Sequence, residues 1–384
     1  MQNIDYIVTG MFRSGTTLLA KLLSANKNTM CVSDPFYPFF KQFRNEFLNE
    51  KTKEALNSPL GDYVMSENSS AMYKRINGKT FEEVITTFSN QELINKIGAH
   101  CKLYSPKIIN HLSKIKGDNY QEIFSCFGAI LKGAYKENKD ELVGFKEVWI
   151  NEFSEQCIKS DKNLKLIFII RDPRSIVASN FSSGSAYPIL FLIRQWRKTI
   201  GHSLMLTKKY PQNTILIRYE DLITKPEIET AKICRFLDLD LDADMLDPSQ
   251  FKDGLNNKWI QNSSQNHKIN DRTKFNTKSV NGWQKTLNSQ SISLIETLCD
   301  IEMKLCEYEI SGVGEKSSLE SLIKYKQSTD QIAEWIKPYS GAYSSVELYK
   351  EIHRNKYLDE IGSLRSDDLD YYYGISPEIV SAIT

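Results

Sequence analysis

The chain opens on a short apolar run, Tyr6-Ile7-Val8. Then come Gly10-Met11-Phe12-Arg13-Ser14-Gly15-Thr16-Thr17 and the helix-forming run Leu18-Leu19-Ala20-Lys21-Leu22-Leu23. A buried strand, a glycine-bounded loop and a helix, in that order, place backbone N–H groups around a phosphate at the helix N-terminus. The spacing of Gly10 and Gly15 is that of a nucleoside-triphosphate loop, with one replacement: the lysine that follows the second glycine in such loops is Thr16 here. That lysine reaches the β- and γ-phosphates, so its loss argues against ATP or GTP, and the loop's own cation is Arg13. The pattern predicts an α/β fold whose ligand-binding loops gather at the C-terminal ends of parallel strands.

The rest of the chain supplies strands and helices in alternation. Residues 29–35 read as a strand ending at Asp34-Pro35, 142–149 as a strand with Lys146 in its latter half, and 214–222 as a strand ending in R-Y-E-D-L. The run Leu164 to Ile170 is the continuous apolar pattern of a central parallel strand. Helices are expected over 17–25, from about Ser175, over 188–209 (amphipathic, carrying Trp196), over about 226–236, and where Ile292, Ile295, Leu298, Ile301 and Leu305 share a face. A carboxylate beyond the second strand, Asp34, lies at the edge where open sheets bind ligands; a turn aspartate before proline reads the same way. Lysine is expelled from buried strands unless it has a polar task or lies near an end, which makes Lys146 a candidate site residue. Arg171, at the end of the central strand in R-D-P-R, offers a planar fork to a phosphate, and Ser179 adds a hydroxyl from the second turn of the following helix.

The two segments R-S-G-T-T-L and R-D-P-R, the latter with a serine eight residues after its first arginine, together resemble the 5′-phosphosulfate loop and the 3′-phosphate motif of sulfotransferases that use 3′-phosphoadenosine 5′-phosphosulfate (PAPS). The resemblance covers about residues 4–310. It implies a P-loop NTPase-like three-layer fold with a central parallel sheet flanked by helices. A sulfotransferase domain is expected over 1–312, with a helical insertion over about 36–140 bordering the acceptor; beyond it the resemblance stops, and helical patterning predicts a C-terminal helical extension over 313–384. Most aromatics of that insertion, among them Phe36, Tyr37, Phe39, Phe40, Phe43, Phe47, Tyr63 and Tyr73, are expected to be core.

By the same resemblance Arg13, Ser14, Gly15, Thr16 and Thr17 hold the 5′-phosphosulfate, and Arg13 and Lys146 face the sulfuryl group. Arg171 and Ser179 take the 3′-phosphate, Tyr219 stands beside the nucleotide, and Ser263, Ser264 and Lys278 close over it. Asp34 follows Arg13 by 21 residues, the spacing of the catalytic base in protein-tyrosine and carbohydrate members, with Asp in place of their Glu. The implied reaction is in-line transfer of a sulfuryl group, by positioning and charge stabilisation, from PAPS to a hydroxyl or amine of a small-molecule, sugar or lipid acceptor. It leaves adenosine 3′,5′-bisphosphate and needs no metal. Two other readings stand beside it: a small-molecule kinase with a degenerate P-loop, and a non-catalytic nucleotide-binding protein of the same fold.

Composition narrows the partners. A net charge of +1 gives no support to a nucleic-acid partner. No apolar stretch approaches the ~18 residues of a membrane span. The first strand begins almost at the initiator Met, which leaves no room for a signal peptide. Seven cysteines without a C-x-x-C pair fit reduced thiols. A cytoplasmic protein is therefore expected. The five histidines show no metal-ligand spacing.

Overall fold

The computed structural model of the protein describes residues 3–47, 79–135, 141–148, 150–182, 189–252, 258–259 and 274–313. Strand β1 (Tyr6–Gly10) leads through the loop into helix α1 (Thr16–Ala25) and strand β2 (Thr29–Ser33). Helices α2 (Tyr37–Asn45), α3 (Asn90–Tyr104) and α4 (Tyr120–Tyr135) follow, with a 3-10 segment at Pro106–Lys114. Then come β3 (Leu142–Lys146), α5 (Ser154–Ser160), β4 (Lys165–Ile170), α6 (Pro173–Ser182) and α7 (Ile189–Lys209). Strand β5 (Thr214–Arg218) is followed by α8 (Tyr219–Thr224), α9 (Pro226–Leu237), α10 (Trp283–Thr286) and α11 (Ser289–Leu305).

The sheet has the order β2-β3-β1-β4-β5, and each neighbouring pair is parallel. The chain leaves β1 toward one edge and, from β3 onward, advances toward the other. Right-handed crossovers in opposite directions put connecting helices on both faces. This is the P-loop NTPase-like arrangement that the resemblance implies, a central parallel sheet flanked by helices. β1 is central and buried along its whole length, as a strand covered on both faces must be. Its connection departs against those of β3 and β4, so the loop after Gly10 lies at the switch point where such sheets bind ligands.

The chain divides into two compact units. The first comprises 1–47, 75–170 and 206–277 and contains the sheet; the second comprises 48–74, 171–205 and 278–384. In the first, Phe36, Phe39, Phe40 and Phe43 interlock with Phe81, Tyr120, Phe124 and Phe127, beginning with a parallel stack of Phe36 on Phe127 at 3.7 Å between centroids. These rings are buried, so the aromatic run after β2 is core, as expected. Tyr37, on the same helix, is half-buried and stacks on His100 instead. Tyr63 and Tyr73 lie outside the described residues.

Two expectations need correction. The strand expected over 214–222 ends at Arg218, and Tyr219 begins α8. Glu220 and Asp221 sit in that first turn, where carboxylates favour a helix through its dipole. Second, the expected amphipathic helix over 188–209 is buried on every face from Ile189 to Ser203, Arg194, Arg197, Lys198 and His202 included. Its polar residues marked no solvent face.

Candidate active site

Gly10 closes β1 where an added Cβ would come 2.3 Å from the Ile169 carbonyl oxygen of β4, so only glycine lets the two backbones approach. The loop then turns on itself. The Ser14 N–H donates to the Met11 carbonyl at 3.1 Å, and the Ser14 hydroxyl donates to the same oxygen. Ser14 is thus turned inward and fully buried, with both donors used inside the loop. Arg13 has φ 70° and Gly15 φ 98°, left-handed backbone that is costly for arginine. Such strain persists where the surrounding structure over-determines it, commonly at ligand clamps. Gly15 is the N-cap of α1; no side chain caps that end, and no acidic residue occupies its first turn. The N–H groups at this end have no partner within the helix, which leaves them directed at an anion beside the half-buried Thr17 and the buried Thr16.

Tyr219 completes the loop from β5. Its ring lies against Gly15, where an added Cβ would meet Cδ2 at 2.4 Å. Gly15→Ala therefore combines a clash with a forbidden backbone. We expect it to cost about 1–3 kcal/mol of stability, measured by thermal denaturation, and to abolish nucleotide binding. A melting temperature like that of the wild type would contradict this account of the loop.

The second element of the site gathers at the ends of β2 and β3. In register, Lys146 lies opposite Val8 on one side and Ser33 on the other, one strand away from the loop. Asp34 follows directly. Its N–H donates to the Lys146 carbonyl at 2.8 Å, and its carboxylate forms a buried ion pair with the Lys146 ammonium. Asp34 has φ 46°, a conformation aspartate tolerates better than longer side chains. This gives a physical reason for Asp at this position. Helix α3 pins the turn: the His100 Nε2–H donates to the Asp34 carbonyl at 2.8 Å, and the Cys101 thiol donates to the Pro35 carbonyl at 3.1 Å. Burial holds the His100 imidazole below the ordinary histidine range, against the opposing pull of Asp34. Tyr37 and Tyr104 flank that imidazole at 5.4 and 5.1 Å. Burial also pushes the Cys31 and Cys101 thiols up to about 12, which removes both as nucleophiles.

The second unit holds the R-D-P-R segment. Arg171 Nη2 donates to the Ser279 carbonyl at 2.8 Å, and the Arg171 carbonyl accepts from Trp196 Nε1 at 2.8 Å. Ser175 Oγ donates to the Val280 carbonyl at 2.9 Å. These bonds tie the segment that follows Lys278 to the start of α6. Lys278 itself is exposed, and Ser179 is half-buried in α6. The second arginine has a different role. Arg174 bridges Asp172 and Glu296 at 2.6 Å each and lies 4.1 Å from the Trp283 ring centroid. Burial opposes its charge, yet the hydrogen bonds to Asp172 and Glu296 raise its pKa. Arg174 thus fastens α6 to α11, while Arg171 ties the start of α6 to Ser279. Ser263 and Ser264 lie outside the described residues.

In the first unit, then, the structure brings together Asp34 and Lys146 at the sheet edge that carries the Arg13–Thr17 loop and Tyr219. In the second it brings together Arg171, Ser279 and the start of α6. Sequence reasoning missed His100 and Tyr104, which sit in a helix without a motif, and Glu147, whose one signal was a second charge directly after Lys146 at the end of an apolar strand.

The geometry defines a class: an α/β protein with a glycine-bounded loop and an uncapped helix end at the switch point of its sheet, an ion-paired carboxylate beside it, and no group of histidine, cysteine, aspartate or glutamate among the described residues arranged to hold a metal. The family is named by comparison. Residues 153–307 match the family model described as the sulfotransferase domain. The chain therefore resembles the sulfotransferase family implied by its two motifs. The match takes in Arg171, Ser179, Tyr219 and Lys278 and begins after Lys146.

Similar solved structures include the sulfotransferase domain from the curacin biosynthetic pathway (16% identity, 80% of this chain and 99% of that one, TM-score 0.47). Others are the sulfotransferase domain from the Synechococcus PCC 7002 olefin synthase (15%, 78% and 96%, TM-score 0.43) and a sulfotransferase from Mycobacterium avium (12%, 81% and 79%, TM-score 0.38). Likeness at this level decides neither substrate nor residue roles. No curated protein matches the chain. No helix among the described residues is long and apolar enough to cross a membrane.

Proposed function

We propose that the protein transfers a sulfuryl group from PAPS to a hydroxyl or amine of a small-molecule acceptor, with a carboxylate as base. The observation that carries this reading is the buried pair of Asp34, which follows β2, with Lys146 at the end of β3, one strand from a glycine loop whose helix end is uncapped. The donors fit the cofactor's chemistry. The N–H groups of Gly15, Thr16 and Thr17 suit a phosphate, Arg13 and Lys146 suit the charge around the sulfuryl group, and Arg171, Ser179 and Lys278 suit a 3′-phosphate monoester. Tyr219 fixes the loop and offers a ring face to the nucleotide; Ser263 and Ser264 complete the proposed set. When bound, PAPS supplies the activated sulfuryl group. The chain's own work is to orient the acceptor, neutralise charge through Arg13 and Lys146, and take the acceptor's proton on an Asp34 carboxylate oxygen. The proposed acceptor position is beside Tyr37, His100 and Tyr104, whose rings pack together next to Asp34.

The test is turnover. In excess EDTA, with PAPS and a library of hydroxyl and amine acceptors, mass spectrometry is expected to show adenosine 3′,5′-bisphosphate released in step with a sulfated acceptor. Metal chelation should leave the rate unchanged, because the charge on the sulfuryl group is met by arginine and lysine. Phosphorylated product from ATP, abolished by EDTA and restored by Mg²⁺, would establish the kinase reading instead.

A further inference from the structure

Two carboxyl groups lie near the Lys146 ammonium at the end of β3. Lys146 pairs with Asp34. Glu147, the next residue, is 1% exposed. Its backbone is held on both sides: the N–H donates to the Val8 carbonyl at 3.0 Å, and the carbonyl accepts from Thr9 Oγ1 at 2.8 Å. These bonds fix the Glu147 backbone, and burial confines its side chain. Its carboxyl lies within interacting reach of that of Asp34, whose charge raises it, and Oε2 meets no hydrogen-bond partner. Two carboxylates cannot share a hydrogen bond without a proton between them, and a second buried negative charge beside one lysine is strongly unfavourable.

We propose that the carboxyl groups of Asp34 and Glu147 hold a single proton between them, and that Glu147 is a positioning residue that orients the Asp34 carboxylate. The proposal rests on the reading of Asp34 as the base. One Asp34 oxygen is directed at Lys146, and the proton shared with Glu147 fixes the rotation of the carboxylate. The proton lost by the acceptor then goes to Asp34, since Glu147 already carries one. When the Lys146 ammonium turns to another anion, Asp34 keeps its second partner.

The surrounding groups agree. Cys101 and Tyr104 of α3 are the other titratable groups that sense Glu147. Burial raises both, so they are neutral at pH 7, as is His100 beside the Asp34 carbonyl. Burial first and the Asp34 charge second hold the Glu147 carboxyl well above the ordinary glutamate range, with Lys146 opposing. A carboxyl raised on folding stabilises most below its unfolded value near 4.5, and that contribution is lost as pH rises through the folded value. Wild type should therefore lose stability toward alkaline pH, and Glu147→Gln should flatten that decline.

The direct test is isotope-edited infrared spectroscopy of the purified full-length protein at pH 7. Wild type minus Glu147→Gln is expected to show a protonated-carboxyl stretch. The same band should vanish in Asp34→Asn, because Glu147 then ionises against Lys146; this second variant serves if the first does not fold. A difference spectrum without the band, or a band that survives Asp34→Asn, overturns the proposal. The readout needs no acceptor. A band without PAPS turnover upholds the shared proton and removes the sulfotransferase reading, while turnover without a band does the reverse. With turnover in hand, wild type should lose kcat on an alkaline limb that Glu147→Gln lacks. Equal limbs count against the proposal.

Discussion

Asp34→Asn is expected to lower turnover by about 10²–10⁴-fold while PAPS affinity and the fold are kept. The isosteric amide cannot accept the acceptor's proton, yet it suits the left-handed backbone at φ 46° as well as aspartate does. The substitution also removes the negative partner of the buried Lys146. Lys146 is also proposed to help hold the sulfuryl group, so nucleotide affinity must be measured beside the rate. Asp34→Glu separates chemistry from geometry: it restores a carboxylate, but puts a longer side chain on a backbone that disfavours it. It should retain far more activity than Asn and melt at a lower temperature than wild type. A pre-proline turn aspartate would behave otherwise, since Asn forms such turns equally well. Rates near wild type for Asp34→Asn at saturating acceptor would remove Asp34 from the mechanism.

The second large effect is expected at Arg171. Removing one partner of a desolvated, charge-assisted contact costs about 2–5 kcal/mol. Arg171→Ala should therefore weaken binding of adenosine 3′,5′-bisphosphate by about 30- to 4,000-fold and leave adenosine 5′-phosphate unaffected. Arg171→Lys should recover part of the loss, because a single ammonium cannot reproduce the planar fork. Arg171 also holds the Ser279 carbonyl, so its loss loosens the segment after Lys278. Ser175→Ala supplies the control: it releases the neighbouring tie to Val280 without touching the proposed phosphate contact. Loss of the 3′-phosphate preference in Ser175→Ala but not in Arg171→Ala would move the assignment away from Arg171.

What could be read from the sequence, and what could not, follows from the range of the interactions. The loop was legible because glycine spacing, an apolar strand and a leucine-rich helix are local signals, and they fall where the structure has β1, Gly15 and α1. The buried strand β4 was legible because a central parallel strand is apolar along its whole length. Tyr219 was misread as strand because the turn from Arg218 into α8 depends on a short helix with little pattern of its own. The polar face read into α7 failed for a longer-range reason: burial of Arg194, Arg197 and His202 is set by packing, which periodicity cannot see. At the site, the spacing of Arg13 and Asp34 was visible, but the strained backbone at both was not. The contacts of His100 and Glu147 with Asp34 join residues 66 and 113 positions apart, and no local pattern encodes them.

A protein that works as proposed binds a 3′-phosphorylated adenosine nucleotide without a metal. Titration calorimetry in EDTA, with adenosine 3′,5′-bisphosphate, adenosine 5′-phosphate and ATP in turn, tests this most directly. The account predicts that the bisphosphate binds at least about 30-fold more tightly than adenosine 5′-phosphate, and that ATP, which lacks the 3′-phosphate and meets Thr16 where a P-loop has lysine, binds no better than the monophosphate. Equal affinity for the bisphosphate and the monophosphate, or tightest binding of ATP, would contradict it.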